Sequence, residues 1–236
     1  MLEGMTTTSA MLAERSWPEV DRPLLLVPVG SLEQHGPHLP LDTDTRIARA
    51  VAEGLARALP GGAVVAPAVA YGASGEHQDF AGTVSIGTDA LRALLVEYGR
   101  SASSWAGAIV FVNGHGGNLE AVTAAVATLR DEARAVAWTP CAPAAESAPD
   151  AHAGRTETSI LLHLAPEHVR LDRAVAGASE PIGELLPRLR AGGVAAVSRS
   201  GVLGDPAGAT AEEGARLLGE MIARARERVA AEAAAR

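Results

Sequence analysis

The chain has 236 residues, 47% of them hydrophobic and only 3% aromatic, enough to bury one sizeable core packed with Val, Leu, Ile and Ala. A formal charge of -8 with no Lys/Arg block argues against a nucleic-acid surface, which needs clustered positive charge to displace phosphate counterions. The single cysteine, Cys141, excludes an internal disulfide and a multi-cysteine zinc site but leaves a thiol nucleophile open.

Residues 1–22 lack a sustained hydrophobic period and read as an N-terminal extension, with one domain expected over 23–236. Their acids stand where a signal peptide would carry a basic head, and no apolar run reaches the roughly 20 residues of a membrane span. The expected location is the cytoplasm, with no membrane partner. From Pro23, PLLLVPVG reads as a strand buried on both faces. A polar loop over 31–44 follows, and then Ile47, Val51, Leu55 and Leu59 recur at helical spacing up to Pro60. The pattern repeats: AVVAPAVAYG predicts a second strand, and a helix is expected over 88–105. GAIVFVN predicts a third strand, NGHGGN the turn at its end, and LEAVTAAVATLRDEAR the returning helix. AVAWTP reads as a further strand, TETSILLHLAP as a short helix, and 211–236 as a long amphipathic helix. The Gly/Ala/Ser/Pro-rich stretches 143–154 and 191–209 read as loops over the site or a subunit contact. Strands alternating with helices imply a mostly parallel sheet in an α/β fold.

In such a sheet, ligands bind beyond the C-terminal strand ends, where the polar residues of this chain collect. GSLEQHGPHLPLDTD offers Glu33, His35, His38, Asp42 and Asp44 after the first strand. NGHGGN adds His115, and HAGRTETS adds His152 and Glu157. Carboxylates with imidazoles suit a borderline divalent metal with an open position for water. Glu33 and His35, two apart, point the same way on an extended segment. Asp42, Asp44 and His38 can equally serve as a helix cap or as groups that orient a ligand.

These motifs resemble the creatininase (creatinine amidohydrolase) family over about 24–166. The resemblance implies a three-layer α/β/α sandwich, usually in a homohexamer, with one or two divalent ions per subunit, zinc, manganese or iron. It implies that Glu33, Asp44 and His115 hold one metal, and His35 with a bridging Asp44 the other. One departure matters: creatininase carries a further ligand Glu two positions after the motif histidine, where this chain has Gly117. Glu157 is then expected to complete the metal shell or act as base, and His152 to donate a proton to the leaving amine.

The run APAVAYGASGEHQDFAGTVSIG is most similar to a peptidase branch of that family. That branch releases a C-terminal Val-Tyr dipeptide from a ribosomally made, decarboxylated and crosslinked precursor peptide during redox-cofactor biosynthesis. The resemblance implies that peptide as partner, with Ser74, Glu76 and His77 facing it. Three alternatives stand beside this reading. A small-molecule amidohydrolase, acting on creatinine or a formylamino compound, would share the site, although Gly117 counts against cyclic amides. A non-catalytic metal-binding subunit would bind without turnover. A nucleotide-binding protein lacks support, because the first loop has neither GxGxxG nor GxxxxGK[ST] and its acids repel phosphate.

Overall fold

The computed structural model describes residues 10–144 and 150–234. Its sheet has four parallel strands: β1 (Leu24–Val29), β2 (Val64–Val65), β3 (Ala108–Asn113) and β4 (Val136–Pro140), in the order β2-β1-β3-β4. β1 and β3 pair over their full length, from Leu24 with Ala108 to Val29 with Asn113. Both are central strands, which is why their sequences are continuous apolar runs.

One face of the sheet carries α2 (Thr88–Ala102) and α3 (Leu119–Asp131), whose Leu91, Leu95, Val122 and Leu129 pack with Leu25, Val27 and Phe111. The other carries α1 (Thr43–Ala58), α4 (Arg155–Leu164) and α6 (Ala211–Ala234), whose Val51, Leu55, Ile160, Leu161 and Leu217 pack with Leu26 and Val110. This is the three-layer α/β/α sandwich expected. Each such buried side chain contributes about 1.5–3 kcal/mol. α3 is held tightly against α2, since a Cβ on Gly99 would lie 2.3 Å from Leu129 Cδ1.

Two expectations need adjusting. The second strand is two residues long rather than spanning AVVAPAVAYG, because Pro67 has no N–H to donate and pairing resumes only as a bridge between Val29 and Val69. Within the N-terminal stretch, Met11 bridges to Val65, and Val65 N–H donates to the Ala10 carbonyl. The stretch before 191–209 contains α5 (Ile182–Gly192), unforeseen because Pro187 sits inside it. α5 is held by tertiary packing, Leu185 joining Val194 and Leu203 in a small cluster that Phe80 and Leu189 border. The loop 143–154 is described only in part, residues 145–149 lying outside the described ones.

Candidate active site

Every strand-to-helix connection sends side chains to one place. The loop after β1 supplies Glu33 and His35, and the first turn of α1 supplies Asp44. The 3-10 turn Gly75–His77, after β2, supplies His77. His115 follows β3, while His152 and Glu157 come from the segment between β4 and the first turn of α4.

The Glu33 carboxylate lies at the centre, fully buried, and neither oxygen has an aligned hydrogen-bond donor. Its Oε2 is 3.1 Å from His115 Nε2, and its Oε1 is 3.3 Å from His77 Nε2 and 3.9 Å from His152 Nδ1. His35 donates Nδ1–H to the Glu33 carbonyl at 3.1 Å, which turns Nε2 toward Asp44 Oδ1 at 3.1 Å and Glu157 Oε2 at 4.0 Å. A backbone acceptor on the far nitrogen is the usual arrangement of a metal-ligating imidazole. Asp44 Oδ2 accepts from Ser31 Oγ at 2.5 Å and lies 3.2 Å from His115 Nδ1. Glu157 Oε2 accepts the Ala153 N–H at 2.5 Å, and Ala153 holds a left-handed φ of 52° to present it.

The electrostatics describe a pocket that demands positive charge. Burial, reinforced by the neighbouring Asp44 charge, raises the Glu33 carboxyl to about 8. Burial opposes charge at Asp44 too, yet His35 and His115 hold it well below the usual range. At His35 burial is outweighed by Asp44, which lifts the imidazole to about 10; Glu33 and Asp44 likewise raise His115 against its burial. Two imidazolium protons thus stand where a cation would. Burial with the Asp44 charge raises Glu157 to about 7, whereas burial lowers His77 to about 4 and His152 well below its ordinary value.

The donor set fits a divalent metal. Glu33, His35 and Asp44 place one ligand atom each within 4.8 Å of one another, as do His35, His152 and Glu157, and Glu33, His77 and His152. The buried, unpartnered Glu33 oxygens are what such an ion would satisfy. Carboxylate oxygen with imidazole nitrogen accommodates zinc, iron and manganese alike.

The other sequence candidates fall around this centre. Glu76 Oε1 is 3.5 Å from His115 Nε2, and the Ser74 hydroxyl is buried without an aligned partner. Asp42 pairs with Arg46 at 2.7 Å, and His38 Nε2 meets Thr158 Oγ1 at 2.9 Å, so both support the loop. Burial and the Asp44 charge push the Cys141 thiol upward, which keeps it protonated and unsuited to nucleophilic attack. At Gly117 a Cβ would lie 2.4 Å from the Ala73 carbonyl and from His115 Nε2, so the 73–76 loop occupies the space a side chain would need.

Sequence reasoning passed over Gln34. Its neighbours Glu33 and His35 drew attention, and strict alternation would point it away from them. The structure instead puts its amide beneath two of the histidines, in contact with His77 Nδ1 and His152 Nε2. Asn118 was also missed; it ties the Gly30 carbonyl and Ala73 N–H together, joining the first two loops.

A model of the creatininase family, described as creatinine amidohydrolase, matches residues 13–229. A mycofactocin precursor peptide peptidase of Mycolicibacterium smegmatis is 63% identical over 206 residues, covering 85% of this chain and 81% of its own. The protein of the same description from Mycobacterium ulcerans is 58% identical over 224 residues, covering 92% and 86%. Among solved structures, a manganese creatininase superposes with a TM-score of 0.77 at 26% identity, covering 95% of this chain and 99% of its own. Fold and site together define a hydrolase acting on amide bonds. The chain belongs to the creatininase family.

Proposed function

We propose that this chain is a metal-dependent peptidase of mycofactocin biosynthesis that releases a C-terminal Val-Tyr dipeptide from a modified, ribosomally made precursor peptide. The observation that carries the metallohydrolase part is the buried Glu33 carboxylate, with no aligned donor, ringed by His115, His77 and His152. The precursor-peptide part is supported by the description of relatives 58–63% identical to this chain.

Glu33, Asp44 and His115 would hold one divalent ion; His35, Asp44 and Glu157 would hold a second, with Glu157 supplying the carboxylate that Gly117 lacks. When bound, such an ion supplies a water acidic enough to ionise near neutral pH and a Lewis acid for the scissile carbonyl. His152 and Glu157 handle the protons, since both line the edge of the cluster and neither is committed to a salt bridge with Lys or Arg among the described residues. Ser74, Glu76 and His77 form the wall contributed by the loop after β2 and are the proposed contacts to the peptide, Glu76 being the most exposed of the three. No described helix is long and apolar enough to cross a membrane. A homo-oligomer, a hexamer by family resemblance, is the proposed assembly.

Mass spectrometry of the modified precursor peptide, incubated with zinc-, iron- or manganese-loaded protein and with chelated protein, tests this. Metal-dependent loss of an intact Val-Tyr unit is expected. No cleavage despite stoichiometric metal would end the peptidase reading in favour of a small amide. The creatinine amidohydrolase description of the matching family model makes creatinine the control substrate.

A further inference from the structure

Between the two metal-ligand candidates Glu33 and His35 sits a side chain whose contacts fix more than its own place. We propose that Gln34 is a positioning residue that makes His77 a hydrogen-bond donor, and His152 an acceptor, toward the Glu33 cavity.

Two backbone groups settle the orientation of the Gln34 amide. The Gly36 N–H can only donate, and it lies 2.8 Å from Gln34 Oε1. The Gly201 carbonyl can only accept, and it lies 3.1 Å from Nε2. A flipped amide would set N–H against N–H and oxygen against oxygen. The site is also built to the shape of this side chain. Gly201 has φ 81°, and a Cβ there would lie 1.9 Å from Gln34 Oε1.

With the NH2 group so placed, the 2.8 Å contact to His77 Nδ1 is donated by Gln34. His77 Nδ1 therefore carries the lone pair, and the ring proton is on Nε2. At His152 the fixed partner is the backbone carbonyl of Gln34, 2.8 Å from Nε2. A carbonyl only accepts, so this ring also carries its proton on Nε2, with the lone pair on Nδ1. The two amide hydrogens of Gln34 are taken by His77 and Gly201, which leaves none for the 3.1 Å approach to His152 Nε2.

The two rings hold the same tautomer but present opposite ends to the cavity. His77 turns Nε2–H toward Glu33 Oε1 at 3.3 Å, while His152 turns the Nδ1 lone pair toward the same oxygen at 3.9 Å. One proton per ring follows from the contacts: His77 Nδ1 accepts from Gln34, and at 3.9 Å the approach of His152 Nδ1 to Glu33 Oε1 is too long to be a donated hydrogen bond. His152 is then the group that accepts a proton. Its Nδ1 takes one from water as the water oxygen bonds to the amide carbon, and returns it to the nitrogen as the C–N bond breaks, so no proton is gained or lost. His77, already protonated at the nitrogen that faces inward, cannot take that role. The catalytic consequence rests on the amide-hydrolase reading; the proton positions do not.

Magic-angle-spinning 15N NMR of histidine-labelled full-length protein, metal-free and zinc-loaded, reads the proton positions without substrate, with H77N and H152N assigning the signals. Protonated Nε2 and unprotonated Nδ1 are expected at both residues. A proton on Nδ1 of either ring in the unsubstituted protein would overturn the proposal, whether or not any variant folds. In Gln34→Glu the ionised side chain can only accept, so the His77 proton should move to Nδ1 at a pH where that carboxyl is ionised. Zinc content should hold while kcat/KM falls about tenfold or more. Unchanged kcat/KM with a relocated His77 proton would also overturn it, and a tautomer result as expected would stand even if the precursor peptide proves not to be the substrate.

Discussion

The two ends of the sheet carry two charge networks of opposite character. At the N-terminal strand ends Arg100, Glu132 and Arg134 lie open to solvent, with Arg100 Nε 3.0 Å and Arg134 Nε 2.9 Å from the Glu132 carboxylate. Hydrogen bonds from Arg100 and Arg134 pull the Glu132 carboxyl down to about 2. At the C-terminal ends Glu33, Asp44, His35, His77, His115 and His152 are buried, and burial pushes Glu33 up to about 8. The exposed network is satisfied by its own members. The buried one holds more acceptors than fixed donors, and that imbalance marks it as a place for a cation.

The largest effect should come from removing the centre of the buried network. Glu33→Ala should bring metal content, by elemental analysis, far below one ion per chain. Amide-bond hydrolysis should fall by well over the ~100-fold seen when a group that merely orients a ligand is lost. Full metal content in this variant would refute the ligand assignment. Next is His152→Ala, which should keep its metal and lower kcat by roughly 10²–10⁴-fold, the range of a lost proton-transfer group. Glu157→Ala should lower both metal content and turnover; most of the turnover retained with normal metal binding would remove Glu157 from both proposed roles.

pH offers a test of the imbalance itself. In metal-free protein Glu157 stands at about 7, Glu33 at about 8 and His35 at about 10, all raised above their ordinary values of 4.5, 4.5 and 6.5. Each raised group favours the fold fully below its ordinary value and loses that contribution as pH rises through its folded value. Asp44, held low, has the opposite sign and acts only below about pH 4. Metal-free protein should therefore melt at a lower temperature at pH 9 than at pH 6. Zinc replaces the protons, so the melting-temperature gap between loaded and free protein should widen with pH. A gap that stays constant over that range would show that the buried protons do not stand in for the ion.

A smaller effect is expected at Gly117→Ala, whose Cβ meets the Ala73 carbonyl and the His115 ring. The cost should be about 1–3 kcal/mol, the usual penalty of overpacking, read from the denaturant midpoint. Zinc affinity should fall as well, since His115 must yield. Unchanged stability would mean that the 73–76 loop is not seated on that glycine.

How much of this was legible beforehand follows from which interactions are local. β1, β3 and the helices α1 and α3 show in the sequence because their burial is periodic and their ends are marked by Pro, Gly and Asn. Glu33, His35, Asp44 and His115 show because carboxylates and imidazoles directly follow buried strands. β2 shrank because Pro67 has no N–H to donate, and α5 was invisible because Pro187 sits inside it and its one buried side chain, Leu185, is held by tertiary contacts with Val194 and Leu203. Gln34 was missed for the same reason: its partners His77, His152 and Gly201 are 43, 118 and 167 residues away. Spacing along the chain brings out candidate ligands; the groups placed to orient them are set by tertiary contacts.

The smallest expected effect completes the comparison. Glu132→Gln removes the charge at the centre of the exposed network, where Arg100 and Arg134 converge. Solvent screens these partners, and ion pairs of this kind contribute little to stability at ordinary salt. The melting temperature should be unchanged within measurement error at 0.15 M ionic strength, on the order of the physiological value. Metal content and turnover should be unchanged too, because the whole sheet separates Glu132 from the site. Below pH 4 the unsubstituted protein should begin to lose the small contribution of this depressed carboxyl, and the variant should not. A loss of metal or activity from so remote a substitution would show that the two ends of the sheet are coupled, and the buried cluster could then no longer be treated as responding to its own burial alone.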